Sequence, residues 1–143
     1  MTDEKPKWLE IAEQELGVHE TPGPEATARI IEYDQHTTLK ATSDEVAWCS
    51  AFANFCIDSA GLVGTHSAAA RSWLEWGVAI PEPVEGCVVV FKRGAPPSGH
   101  VSFFVRWDGD VLICLGGNQG DMVKESRYTV DSVLGYRMPK GDE

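Results

Sequence analysis

Cys49 lies in Val46-Ala47-Trp48-Cys49-Ser50-Ala51-Phe52, a stretch that reads as the opening of a buried helix. Fifty-one residues later His100 opens Gly99-His100-Val101-Ser102-Phe103-Phe104, and Gly116-Gly117-Asn118-Gln119 follows on the next apolar run. Cysteine at a helix start, histidine at a strand start and a side-chain amide on the following strand are the parts of a thiol hydrolase. A free thiol has a pKa near ~8.5, and a helix N-terminus with a neighbouring imidazolium lowers it to roughly 3.5–7.5. In such a site Cys49 is the nucleophile, His100 the acid–base and Asn118 the group that fixes the imidazole. The backbone N–H of Cys49 would help hold the oxyanion. Trp48 and Ser50, flanking the thiol, and Gln119, following the amide, are the positions expected to meet substrate. Each residue also has a plain reading: a buried helix cysteine, a strand histidine, an ordinary Gly-Gly-Asn turn, and for Trp48 a place in the core. Chain order and predicted convergence favour the chemistry.

The elements that must bring these residues together divide into a helical first half and a strand-rich second half. Trp8, Ile11, Ala12 and Leu16 recur at helical spacing before Gly17, and Ile30, Ile31 and Tyr33 suggest a short second helix. A third helix is expected from Cys49 to Ala60, ended by Gly61, and a fourth from Ala68 to Trp76, ended by Gly77. Strands are expected at 88–91, 101–107, 111–115 and 134–138, which are rich in β-branched and aromatic residues. The pattern is α+β, with N-terminal helices packed on a small antiparallel sheet in one domain, residues 1–143. Asp108-Gly109-Asp110 supplies a register test. A three-residue loop, or a bulge, puts His100 opposite Asn118 and Ser102 opposite Gly116, with side chains about 5 Å apart at Cβ. A two-residue turn alone turns Asn118 to the other face. Small Ser102 and Gly116 would leave room for the helix end that carries Cys49.

Composition narrows the function. The formal charge of −10 argues against nucleic acid, whose phosphates need Lys and Arg. It also argues against adhesion to an anionic membrane. The longest apolar run, Cys87 to Phe91, is too short to span a bilayer, and no apolar stretch follows the N-terminal residues. The expectation is therefore synthesis in the cytoplasm without a signal peptide. The four cysteines form no C-x-x-C pair and lack histidines at zinc-finger spacing, so no structural zinc and no disulfides are expected. Cys56, Cys87 and Cys114 read as small hydrophobes, His19, His36 and His66 as solvent-exposed, and Trp73 and Trp76 as core.

The segments Trp8-Leu9, Glu15-Leu16-Gly17-Val18, Pro22-Gly23-Pro24 and Ile30-Ile31-Glu32-Tyr33 resemble the start of a small-lysin family in the CHAP and NlpC-like superfamily of cysteine, histidine-dependent amidohydrolases and peptidases. The likeness continues through Trp48-Cys49-Ser50-Ala51-Phe52, Ala70-Arg71-Ser72-Trp73, Gly99-His100-Val101, Gly116-Gly117-Asn118-Gln119 and Tyr136-Arg137-Met138-Pro139. Cys87 stands where relatives tend to have Asp, and Thr27-Ala28 where Asn-Pro is frequent. Ser43-Asp44-Glu45 is too short for the calcium loop of some CHAP domains, so no metal or other cofactor is expected. The resemblance implies a papain-like fold, a Cys49-His100-Asn118 triad, and cleavage of an amide bond in peptidoglycan as an N-acetylmuramoyl-L-alanine amidase or endopeptidase. A monomeric phage endolysin, reaching the wall with the help of a holin, fits that implication. A delivered antibacterial effector with an immunity protein, an inactive wall-binding module, and a cysteine protease or deamidase acting on proteins are the alternatives.

Overall fold

The computed structural model describes residues 5–18, 32–33, 48–67, 69–92, 99–117, 119 and 122–139. Helix α1 spans Lys7–Gln14 and turns Leu9 and Ala12 into the core. Pro6 precedes it, where a missing N–H is harmless, and its carbonyl accepts from Leu9 and Glu10. Beyond the helix, Gly17 takes φ +98° and donates to Val123, while Val123 donates back to Val18. Of the expected second helix, Glu32 and Tyr33 are described, and both are helical.

Helix α2, Cys49–Ser59, is different in kind: its residues from Cys49 to Ile57 are all buried. A helix that is apolar nearly all round is stable only inside a protein. It ends at Gly61 (φ +89°), with Gly61 donating to Asp58 and Leu62 to Ile57, the two bonds of a Schellman motif. The segment expected to form a fourth α-helix instead makes a 3₁₀ helix, Ala70–Glu75. Threefold winding stacks residues three apart, and Trp73 and Trp76 meet edge to face at 4.9 Å. Trp73 is fully buried and Trp76 packs against the same core.

Among the described residues six strands form one sheet: β1 (Val78–Ile80), β2 (Val88–Lys92), β3 (Gly99–Asp108), β4 (Val111–Gly116), β5 (Lys124–Thr129) and β6 (Val133–Met138). Their order is β1-β6-β2-β3-β4-β5, with every neighbouring pair antiparallel. The α+β expectation holds, and the four apolar strands fall where the sequence puts them. Strands β1 and β5 were not expected. The first is three residues long, and the second, Lys-Glu-Ser-Arg-Tyr-Thr, has little apolar pattern of its own and forms through its ladder with β4.

The β3–β4 register takes the second of the two expected routes. Asp108 pairs with Val111, so the turn has two residues, Gly109 and Asp110, not three. Gly109 has φ +65° at the first central position, where a II′ turn takes glycine. The pairing then slips at Val105: Arg106 faces Ile113, but Phe104 faces Cys114 and Phe103 faces Leu115. This bulge restores the register that a three-residue loop would have given.

Two cores result from strict alternation. Val88, Val90, Val101, Phe103 and Leu115 pack with both helices, while Cys87, Val89, Phe91, Phe104, Leu112 and Cys114 form a second cluster on the opposite face. Burial pushes the Cys87 thiol up from 9.0 to about 12, partly offset by a bond to the Val84 backbone. Burial, helped by nearby Cys87, pushes Cys114 up as well. Above pH 9 the native state keeps a proton on Cys87 that the unfolded chain releases. This stability is therefore full below pH 9 and is lost as pH rises toward about 12. Alkylation at pH 8 followed by mass spectrometry should leave Cys87 and Cys114 unmodified in the native protein and label both in denaturant. Urea midpoints should fall from pH 8 to pH 11.

Candidate active site

Cys49 is the first residue of α2 and is 5% exposed. No polar side chain caps this helix, because Trp48 occupies the cap position. The first-turn N–H groups thus have no side-chain cap and form the positive end of the helix dipole beside the thiol. Trp48 is fully buried, stacked on Tyr33 at 5.8 Å, and belongs to the core rather than to an open groove. Ser50, also buried, donates to the Ser67 carbonyl at 2.6 Å and accepts from Trp73 Nε1 at 2.9 Å. Asn54, one turn on, holds the Ser50 carbonyl and receives the His66 N–H. These bonds join the helix start to the following loop and the 3₁₀ helix. They use Ser50 inside the protein, where the sequence had suggested a substrate contact.

His100, at the start of β3, is 1% exposed. It alternates with Val101 and Phe103, so its ring lies with Phe91, its partner across the β2 ladder, at 6.0 Å between ring centres. Tyr128 completes the aromatic surround: it stacks on Phe91 at 4.2 Å, and its hydroxyl is 3.1 Å from His100 Nε2. The same nitrogen is 2.8 Å from Gln119 Oε1. Ser102 Oγ donates to that oxygen at 2.8 Å. Gln119 Nε2 donates to the carbonyls of Lys124, at 2.6 Å, and Cys114, at 3.3 Å. The other imidazole nitrogen, Nδ1, is buried and takes part in none of these bonds.

Two sequence expectations change here. The space over Ser102 and Gly116 holds the Gln119 amide rather than the end of a helix: a Cβ on Gly116 would lie 2.5 Å from Ser102 Oγ and 2.8 Å from Gln119 Oε1. The helix end meets the next residue instead, since a Cβ on Gly117 would lie 2.7 Å from both the Trp48 ring and Phe52 Cβ. Gln119 is 4% exposed with its amide fully engaged, whereas a substrate contact had been expected of it. Asn118 lies outside the described residues, as do His19, His36 and Ser43-Asp44-Glu45. Tyr128 was missed, and the signal available was a lone aromatic in an otherwise polar strand.

The strand-end segment therefore touches the start of the Cys49 helix through one residue and His100 through another. Gly117 lies against the residue before Cys49, and Gln119 holds His100. Their Cα atoms are at most about 7 Å apart along the chain. Among the described residues no group of three His, Cys, Asp or Glu side chains gathers as a metal site. Gly117→Ala should lower stability by about 1–3 kcal/mol, because Trp48 and Phe52 must shift to admit the methyl group. A urea titration read by tryptophan fluorescence measures this, and an unchanged midpoint would show that the helix start does not rest on Gly117.

The CHAP domain family model matches residues 41–118, more than half of the 143 residues. The matched span begins ahead of Trp48 and contains both Cys49 and His100. No curated protein matches the chain. The span of the match, lying over a buried helix that begins at cysteine and a strand that begins at Gly-His, shows that this chain belongs to the CHAP domain family, generally hydrolases of cell-wall peptides.

Proposed function

We propose that the protein is a thiol peptidoglycan hydrolase in which Cys49 is the nucleophile and His100 the general acid–base. The observation that carries this reading is the strand-end segment Gly116–Gln119, which lies against the start of the cysteine's helix at one residue and holds the imidazole two residues later. Asn118 is the third member suggested by the sequence, in chain order between Gly117 and Gln119.

The chemistry runs in two stages. His100 takes the thiol proton, and the Cys49 thiolate attacks the carbonyl carbon of a wall-peptide amide. Helix N–H groups favour both the thiolate and the oxyanion. The tetrahedral adduct collapses as His100 returns its proton to the departing amine, leaving a thioester on Cys49. Water then adds with His100 as base, the C–S bond breaks, and a carboxylate and the thiol are released. The bond cut is the N-acetylmuramoyl-L-alanine amide or a peptide bond of the stem. The biological setting we propose is that of an endolysin acting on the wall after release with a holin.

Digestion of purified sacculi, with fragments identified by mass spectrometry, tests the reading. Wild type should release fragments whose new termini name the bond, and Cys49→Ala should lose activity by on the order of 10³-fold or more. A folded wild type that releases nothing, or an equally active Cys49→Ala, would sink the reading in favour of a protein substrate or a wall-binding module.

A further inference from the structure

We infer that Tyr128, on β5, is a positioning residue for the proposed acid–base: its hydroxyl oxygen lies against His100 Nε2 and favours the protonated imidazole. The inference deepens the thiol-hydrolase reading and rests on it for its catalytic meaning. Tyr128 lies beyond residues 41–118, the span of the CHAP domain match, so the family match itself gives it no role.

Strand β5 is otherwise polar, and along it only Ser126 and Tyr128 are partly buried. Tyr128 packs against the second core, where its ring stacks on Phe91 at 4.2 Å and 25°. The same ring is 5.6 Å from the His100 ring, and Phe91 is 6.0 Å from it. These are not ladder neighbours. Two strands, β3 and β4, separate β5 from β2 in the sheet. Tyr128 pairs with Leu112, whose partner on β3 is Trp107, toward the opposite end of that strand from His100. The three rings meet because the sheet curls around its second core, which brings the face of β5 over onto β2 and the start of β3.

The hydroxyl contact has a direction. Gln119 Nε2 donates to the carbonyls of Lys124 and Cys114, so Oε1 is the end of that amide facing His100 Nε2 at 2.8 Å. An amide oxygen only accepts, so Nε2 carries a hydrogen. The Tyr128 oxygen, 3.1 Å from the same nitrogen, therefore meets it as an acceptor. Hydrogen bonds from an ionised donor are roughly twice as strong as those from a neutral one. The oxygen thus favours imidazolium over imidazole, and imidazolium is the form that returns a proton to the departing amine. Among the described residues, Phe91 on β2 and the Ser102 and Gln119 side chains bring no charge to the ring. Arg71, on the 3₁₀ helix, lies over the preceding Gly99, and the start of α2 supplies the Cys49 thiol. Removing the Tyr128 hydroxyl alters none of these groups.

Tyr128→Phe makes that removal, since it deletes one oxygen and keeps the stacked ring. In an NMR titration of ¹⁵N-histidine-labelled protein, the His100 midpoint should fall by roughly half a unit to one unit relative to wild type. On sacculi the alkaline limb of kcat/KM should move down with it, because that limb follows the loss of the proton His100 must return. KM should change little. A merely structural tyrosine would lower the urea midpoint and leave the titration where it was. An unmoved or raised His100 midpoint in Tyr128→Phe overturns the inference, and so does an alkaline limb that stays in place while the midpoint falls. The titration is read whether or not the protein cuts wall. A wild type that releases nothing from sacculi therefore sinks the hydrolase reading, while an unshifted titration in an active enzyme sinks the role of Tyr128 alone.

Discussion

The one-residue slip at Val105 governs the far end of the sheet, because β3 is buried on both faces from His100 to Phe104. In such a strand a register error exchanges two complete sets of side chains. The two-residue turn at Gly109-Asp110 would by itself put β3 and β4 out of step at the level of Phe103 and Phe104. The bulge corrects this over a short distance. It lets Phe103 meet the helices and Phe104 the second core, and it sets Ser102 beside Gly116. A bulge placed elsewhere would leave the Gln119 oxygen facing different partners.

Burial accounts for how the polar groups near the site behave. Ser50, Asn54, His100, Ser102 and Gln119 are nearly inaccessible, and in this setting each polar atom needs a partner. The result is two small networks, one locking the helix start to the 3₁₀ helix through Ser50 and Trp73, the other locking the imidazole to the strand end through Gln119. Among the described residues, no Asp, Glu, Lys or Arg side chain is bonded to Ser50, Trp73, Ser102 or Gln119. In these two networks orientation comes from amides and hydroxyls, which direct hydrogen bonds without the desolvation penalty of a buried ion.

Much of this could be read in the residues, and what could not has physical causes. The runs Val88–Phe91, Val101–Trp107 and Val111–Leu115 declared themselves by composition, and Gly17 and Gly61 marked helix ends by their left-handed conformations. The helix start at Cys49 and the strand start at Gly99-His100 were legible because the residues that set them lie nearby in the chain. The hairpin length was not, since Asp-Gly-Asp accommodates either a two- or a three-residue loop and the deciding bulge has no glycine to announce it. Strand β5 was hidden because a polar edge strand derives its conformation from its neighbour. The partners of Gln119 were hidden for a related reason: its bonds run to Cys114, Lys124, Ser102 and His100, and only the folded loop brings all four together.

The polar character of β5 has another consequence. Among the described residues the sheet ends on one side at β5, where Lys124, Glu125 and Arg127 are interleaved and the Arg106–Glu125 and Arg127–Asp108 ion pairs reach back over β4 to β3. On the other side it ends at β1, only three residues long. An edge strand with open backbone groups is a template for recruiting another chain. Here one edge carries charges that a second copy would have to desolvate, and the other is too short to nucleate a ladder. Both described edges of the sheet are therefore poor templates for extending it from one molecule to the next.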